Sequence, residues 1–292
     1  MPREIGANQK VTGGLVNTEF EFSDRDFQRV RRIINEVAGI SLADGKRELV
    51  YSRLSRRLRQ RGLRRFEDYC DLLETQDDTA ELGEFVNALT TNLTAFFREP
   101  HHFEFLAREL LPALIRERGF GTRRLRVWSA GCSTGEEPYS IAMVLRETLP
   151  ATGWDVKILA TDLDSNVLAT AGQGVYELGR VKDLPEARLR RWFQKGRGAQ
   201  AGRVRVAPAL RELITFRRLN LMDEWPMRGA FDIVFCRNVV IYFDKPTQRA
   251  LFERFADQLV EQGHLFVGHS ESLFKVTERF VPLGKTIYQR CI

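Results

Sequence analysis

The segment VWSAGCSTGEEPYS at residues 127–140 constrains the fold more than any other stretch of the chain. A short apolar run gives way to Ala, Gly, Ser and Thr, then to Glu136 and Glu137, and a helical pattern begins at Pro138. That order spells a buried strand, a tight turn of small residues and a helix start. It is the arrangement in which a ligand lies against bare backbone at the carboxyl end of a parallel strand. A phosphate-binding turn would avoid two carboxylates. Their charge repels a pyrophosphate and attracts a cation such as an ammonium or sulfonium group.

The surrounding pattern agrees with a sheet that holds such a turn. Strand-like runs at 125–130, 156–161, 214–218, 231–236 and 264–268 alternate with helical patterns near 139–149, 166–172, 185–193 and 245–260. This alternation predicts an α/β fold with a mainly parallel sheet covered on both faces. Residues 280–281 and 286–290 read as a closing antiparallel pair, and GRGAQAGRVRV at 196–206 as an appended hairpin with Val204 and Val206 on one face. Upstream the pattern is purely helical. Ser23 is a candidate N-cap, with Phe27, Val30, Ile33, Ile34 and Val37 on one face. Further helices are expected near 44–61, 66–75, 80–90 and 100–118. The expected division is a flexible tail at 1–20, a helical domain at 21–90, a linker and helix at 91–120, and an α/β domain at 121–292 with a β-subdomain near 195–218.

Composition narrows the setting. No run of about 18 apolar residues exists, so no membrane insertion is expected. The first residues lack a secretory apolar core, and Cys70, Cys132, Cys236 and Cys291 form no CxxC pair. Both features fit a cytoplasmic protein with reduced thiols. The four histidines suggest no metal site, with His101 and His102 expected on different sides of a helix. Charge is uneven: residues 1–65 carry a balance of +7 and the remainder −1. An amino-terminal surface that meets an acidic partner is expected.

Three more segments fall at strand ends. ATDLD places Asp162 and Asp164 after the second strand, where an acid accepts hydrogen bonds from ribose hydroxyls; Asp162 is better placed, with Asp164 nearer a helix cap. RLNL offers Asn220 and Leu221 for the edge and face of an adenine ring. FCRNVVIYF brings out Arg237 and Asn238, followed by Tyr242. Singly, each is more often a cap or turn residue. Together, and without the GxGxxG of a nicotinamide-binding turn, they favour S-adenosylmethionine, which is cationic and carries no phosphate.

NALTTNLTAFFRE at 87–99, SAGCSTGEEPYS, ATDLD, CRNVVIYFD at 236–244 and GHSESL at 268–273, in that order, resemble the chemotaxis-receptor glutamate methyltransferases, the CheR family. The resemblance covers roughly residues 20–290. It implies a Rossmann-like methyltransferase domain, a small N-terminal all-α domain and an inserted β-subdomain. The implied reaction moves a methyl group from S-adenosyl-L-methionine to receptor glutamates, leaving S-adenosyl-L-homocysteine. By motif, Asn92, Thr94 and Arg98 would line the cofactor site, and Glu136 or Glu137 would hold the methionyl ammonium, with Glu137 favoured. Asp162 would meet the ribose, and Asn220, Leu221, Arg237 and Asn238 would complete the site. Arg98 and Tyr242 would act beside the transferred methyl. The sequence does not separate Glu136 from Glu137.

The second helix carries Lys46, Arg47, Arg53, Arg56, Arg57, Arg59 and Arg61 opposite the buried stripe Leu49, Leu54 and Leu58. Nucleic acid is one partner for such a face. The resemblance favours the glutamate-rich cytoplasmic helices of methyl-accepting receptors, with Arg53, Arg56 and Arg59 as the main contacts. In some family members the β-subdomain captures a receptor's C-terminal peptide, and Gly196, Gly198, Gly202, Val204, Arg205 and Val206 resemble that type. Two other readings compete. One is a non-catalytic adaptor, which intact Arg98, Asp162 and Tyr242 disfavour. The other is a nucleic-acid methyltransferase, for which an [ND]PP[YF] turn is expected where the chain has RNVVIY. Nothing in the sequence demands more than a monomer.

Overall fold

The computed structural model describes residues 19–75, 78–119 and 123–291. The expected tail at 1–20 falls almost wholly outside them. Four helices come first: α1 (Asp24–Ala38), α2 (Arg47–Arg61), α3 (Phe66–Glu74) and α4 (Thr79–Leu89). Ser23 and Asp26 form a reciprocal capping box that starts α1, and Gly39 ends it with φ +68°. Phe27, Val30, Ile33 and Ile34 of α1 join Leu54, Leu58, Phe66, Tyr69 and Phe85 in a core of their own. After α5 (Pro100–Phe105) and α6 (Leu111–Glu117) come β1 (Arg124–Ala130), α7 (Glu136–Thr148), β2 (Asp155–Asp162) and α8 (Ser165–Gln173). The expected helix at 100–118 is continuous but contains a π turn at Leu106–Leu110.

The chain then runs through β3 (Val175–Glu177), α9 (Glu186–Trp192), β4 (Phe193–Lys195), β5 (Arg203–Val206) and α10 (Pro208–Arg211). Next come β6 (Ile214–Arg218), β7 (Phe231–Cys236), α11 (Lys245–Gln258), β8 (Leu259–Val267), β9 (Phe280–Gly284) and β10 (Ile287–Arg290). Seven strands form one sheet in the order β6-β2-β1-β7-β8-β10-β9. The first five pair in parallel, and β10 returns antiparallel to β8 and β9. Alternate residues of β1 feed opposite faces. Val127 joins the core under α6 and α7, and Trp128 joins the core around Phe252 and Phe255 of α11.

The small sheet differs from the expected hairpin. Its order is β3-β5-β4, so it spans 175–206, and Ile214–Arg218 belongs to the edge of the large sheet. Val204 and Val206 do share a buried face.

β1 is the middle of the five parallel strands, with β2 and β6 on one side and β7 and β8 on the other. Their carboxyl ends therefore converge on one crevice, where open parallel sheets hold ligands.

Candidate cofactor and methyl-transfer site

The turn after β1 is fixed by two glycines. Gly131 has φ +82°, and a Cβ there would meet Val239 Cγ2 at 2.4 Å. Gly135 has φ +97° and would strike Ala171 and the Tyr176 hydroxyl, both at 2.9 Å. Between them, the Gly131 and Cys132 amides donate to the Thr161 carbonyl, and the Ser133 amide donates to Asp162 Oδ2 at 2.8 Å. The turn is thus tied to the end of β2.

A cavity of about 400 Å³ opens over this turn. That volume lies within the range of small-molecule sites. Thr94, Arg98, Glu137, Asp162, Leu221 and Tyr242 line it, together with Asn92, Asn220, Arg237 and Asn238. The helical domain supplies the opposite wall through Ala38, Ile40, Ser41, Leu42, Lys46 and Leu49. That wall was not foreseen; the only sequence signal for it was the close spacing of apolar residues at the end of α1. Two hydrogen bonds pin it in place. The Ser41 amide donates to the Tyr242 carbonyl at 2.8 Å, and Asn220 Nδ2 to the Val37 carbonyl at 2.7 Å.

The two adjacent glutamates part company at the start of α7. Glu137 faces the cavity: Ser129 donates to Oε1 at 2.7 Å and Arg237 Nη1 to Oε2 at 3.1 Å. Burial pushes its carboxyl above the ordinary range, against the pull of Arg237 and Ser129. Glu136 does not belong to the cavity. It is fully buried on another face, where Arg180 and the Thr134 hydroxyl donate to it. One helical residue turns the chain by about 100°, which separates the neighbours' directions.

Asp162 is also raised by burial, with the Ser133 and Asp164 amides opposing the rise. Asp164 caps α8 through the amides of Asn166 and Val167, and its Oδ2 accepts from Asn92 Nδ2 at 2.7 Å. Asn92 is therefore held by a side-chain bond, while its carbonyl accepts from Ser133 Oγ. Thr94 lies one segment on, its carbonyl bonded by Arg180 at 3.0 Å. Arg98 donates to the Leu93 carbonyl and stays partly exposed.

Several of the lining residues also make bonds within the protein. Asn220 Nδ2 donates to the Val37 carbonyl and to Asp223 Oδ1, and Leu221 beside it is buried against the cavity. Arg237 is buried between two carboxylates, Glu137 and Glu99, and donates to the Arg98 carbonyl. Asn238 has φ +58°, and its backbone N–H donates to Glu271 Oε2 at 2.9 Å. Glu99 and Glu271 were not singled out in the sequence, although both lie in segments that carry the resemblance, at 87–99 and 268–273.

His101 and His102 do not diverge: both rings reach the Lys285 carbonyl, at 3.2 and 3.1 Å. With Glu99 they gather three ligand-type atoms within 4.8 Å of one another, but Arg237 lies 3.4 Å from the same carboxylate and opposes a metal cation there. Of the basic helix, Arg53 is turned inward onto the Ala88, Leu89 and Thr90 carbonyls. Arg59 pairs with Glu19 at 2.9 Å, and Arg56 is exposed with no hydrogen bond or ion pair among the described residues.

The donor set suits S-adenosylmethionine. Two buried carboxylates and apolar walls face the cavity, and Arg237, the cation at its floor, is already paired. Comparison with known proteins agrees. Residues 92–289 match the family description CheR methyltransferase, SAM binding domain, and residues 25–90 match CheR methyltransferase, all-alpha domain. Chemotaxis protein methyltransferase 2 of Pseudomonas aeruginosa is 48% identical over 93% of this chain and 95% of its own length. The chemotaxis protein methyltransferase of Escherichia coli is 46% identical over 91% of each chain. That of Borreliella burgdorferi is 37% identical over 88% of this chain and 91% of its own. No helix among the described residues is long and apolar enough to cross a membrane.

Proposed function

The chain belongs to the CheR methyltransferase family, whose members methylate glutamate side chains of chemotaxis receptors with S-adenosylmethionine, and from that premise we propose how its residues divide the work. The observation that carries the assignment is Glu137, a buried carboxylate at the carboxyl end of β1 that faces the cavity. Glu137 would take the methionyl ammonium, Asp162 the ribose, and Leu221 the adenine face. Asn92, Thr94 and Asn238 would close the site around them.

When bound, the cofactor supplies a methyl group already activated by its sulfonium. The acceptor glutamate, with an ordinary pKa of about 4.3, is a carboxylate at neutral pH and needs no general base. The protein's task is therefore alignment and removal of water from that carboxylate. Arg98 is partly exposed and anchored to the Leu93 carbonyl, so its remaining N–H groups can steer the acceptor by charge-assisted hydrogen bonds. Tyr242 also lines the cavity and would orient a reactant through its hydroxyl. Helix α2 would meet the receptor's acidic helices, and the small sheet, with β3 and β4 as open edges, would add a receptor tail as a further strand. We place the enzyme in the cytoplasm as a monomer.

Incubation with methyl-labelled cofactor and receptor, followed by mild alkali, tests the reaction. Label released as methanol is expected from a glutamate ester; alkali-stable label on the receptor would overturn it.

A further inference from the structure

Arg237 creates an electrostatic problem for the site. Its side chain is 3% exposed, and Nη1 lies 3.1 Å from Glu137 Oε2. Alone, that pair would be neutral, and a cationic ligand would have to compete with Arg237 for the same carboxylate. The structure adds a second carboxylate behind it. Glu99 Oε2 lies 3.4 Å from Arg237 Nη2. Glu99 is outside the cavity lining, at the start of α5, with the left-handed φ of +56° that side chains other than glycine rarely adopt. Its side chain is 10% exposed and its Oε1 accepts from the His269 ring at 2.8 Å. Oε2 has no hydrogen-bond partner among the described residues and faces Arg237. Burial would raise the Glu99 carboxyl, but His269 and then Arg237 hold it down to about 2. Burial and Arg237 push the neighbouring His102 down to about 3, so it is neutral and does not cancel that charge. Two carboxylates thus share one guanidinium.

We propose that Glu99 is a positioning residue that draws on Arg237 from behind, leaving Glu137 the surplus negative charge with which the site takes a cationic amino-acid group. The inference rests on the reading of Glu137 as the ammonium's partner. Its test separates the two. S-adenosylhomocysteine and 5′-methylthioadenosine, which lacks the amino-acid portion, are titrated calorimetrically into the full chain at pH 8, above the ordinary histidine range of about 6.5. Glu99→Gln should weaken S-adenosylhomocysteine about tenfold while methylthioadenosine changes less than about twofold, as expected for loss of a unit charge near a partly buried cation. Glu99→Asp should restore most of the loss. His269→Lys sets a fixed positive charge beside Glu99 from an exposed position that carries little folding risk, and should reproduce the selective weakening. Equal weakening of both ligands, or of neither, in these variants overturns the role of Glu99. Wild-type affinity for S-adenosylhomocysteine in Glu137→Gln overturns the reading of Glu137 itself. Loss in Glu137→Gln with none in Glu99→Gln and His269→Lys overturns the inference alone.

Discussion

Glu137 is a buried carboxylate whose ionisation folding disfavours and to which we assign the ligand's ammonium. Its pKa is raised by burial, so the folded state holds its proton more tightly than the unfolded chain does. The sign follows: its ionisation costs nothing below the ordinary carboxylate pKa, and the cost grows as pH rises through the raised value. Glu137→Gln should therefore stabilise the ligand-free protein near neutrality by roughly 1 kcal/mol, with Arg237 still paired to Glu99, and the gain should vanish toward acid pH. The same variant should lose the rise in unfolding temperature that S-adenosylhomocysteine gives the wild type. Thermal scans across pH, with and without ligand, check both halves; a variant less stable than wild type at pH 7 would contradict the account. The sequence could reach the glutamate pair and Asp162 because strand ends are recognisable from apolar runs. It could not choose between Glu136 and Glu137, because the choice depends on which direction α7 leaves the turn and on where Arg180 and Arg237 arrive from distant segments. The bond that ties Asn220 to the end of α1, a domain away, was illegible for a related reason: it joins segments far apart in the sequence.

At the scale of elements, α2 reads as one basic face but is two populations. Arg53 places a cation on the last carbonyls of α4, where the helix dipole favours it. Arg53→Ala should cost about 1–2 kcal/mol in urea unfolding, whereas Arg56→Ala should stay within about 0.5 kcal/mol. Receptor methylation should respond in the opposite order per unit of stability, with Arg56→Ala raising the receptor KM at unchanged stability. Equal stability losses would show that the inward bonds of Arg53 contribute nothing. The small sheet shows what element-level reading misses. Val204 and Val206 gave away β5 by alternation, but β3 is three residues long, follows directly on α8, and gains its strand form only from pairing with β5. β7 was legible because it is a short, mostly apolar run, buried on both faces. If the open edges of the small sheet receive a receptor tail, such peptides should bind the chain and protect the Val175–Glu177 or Phe193–Lys195 amides from hydrogen exchange. Titration without binding would remove that role.

For the whole molecule, the arrangement separates two electrostatic tasks by domain. The positive excess lies within the first 65 residues, with Arg56 and Arg59 of α2 exposed, while the cavity holds the buried carboxylates Glu137 and Asp162 beyond the ends of β1 and β2. The helical domain also closes the cavity, through the Ser41–Tyr242 and Val37–Asn220 bonds and the packing of Ile40 against both cores. These contacts join the domain to which we assign the receptor's acidic helices to the cavity to which we assign the cationic cofactor. Salt should act on the two tasks unequally. The Debye length falls from about 30 Å at 0.01 M to about 8 Å at 0.15 M, so attraction between exposed arginines and receptor carboxylates is screened. Charges at contact distance inside a low-dielectric pocket are screened far less. Between 0.02 and 0.3 M NaCl, the receptor KM should rise by about tenfold or more, while the dissociation constant of S-adenosylhomocysteine changes by less than about twofold. Initial-rate measurements on receptor-containing vesicles and calorimetry on the same protein preparation supply the two numbers. If both rise together, the cavity is open enough to share the surface field, and the helical domain is not the wall that its contacts describe. If neither rises, receptor recognition does not run through the basic helix.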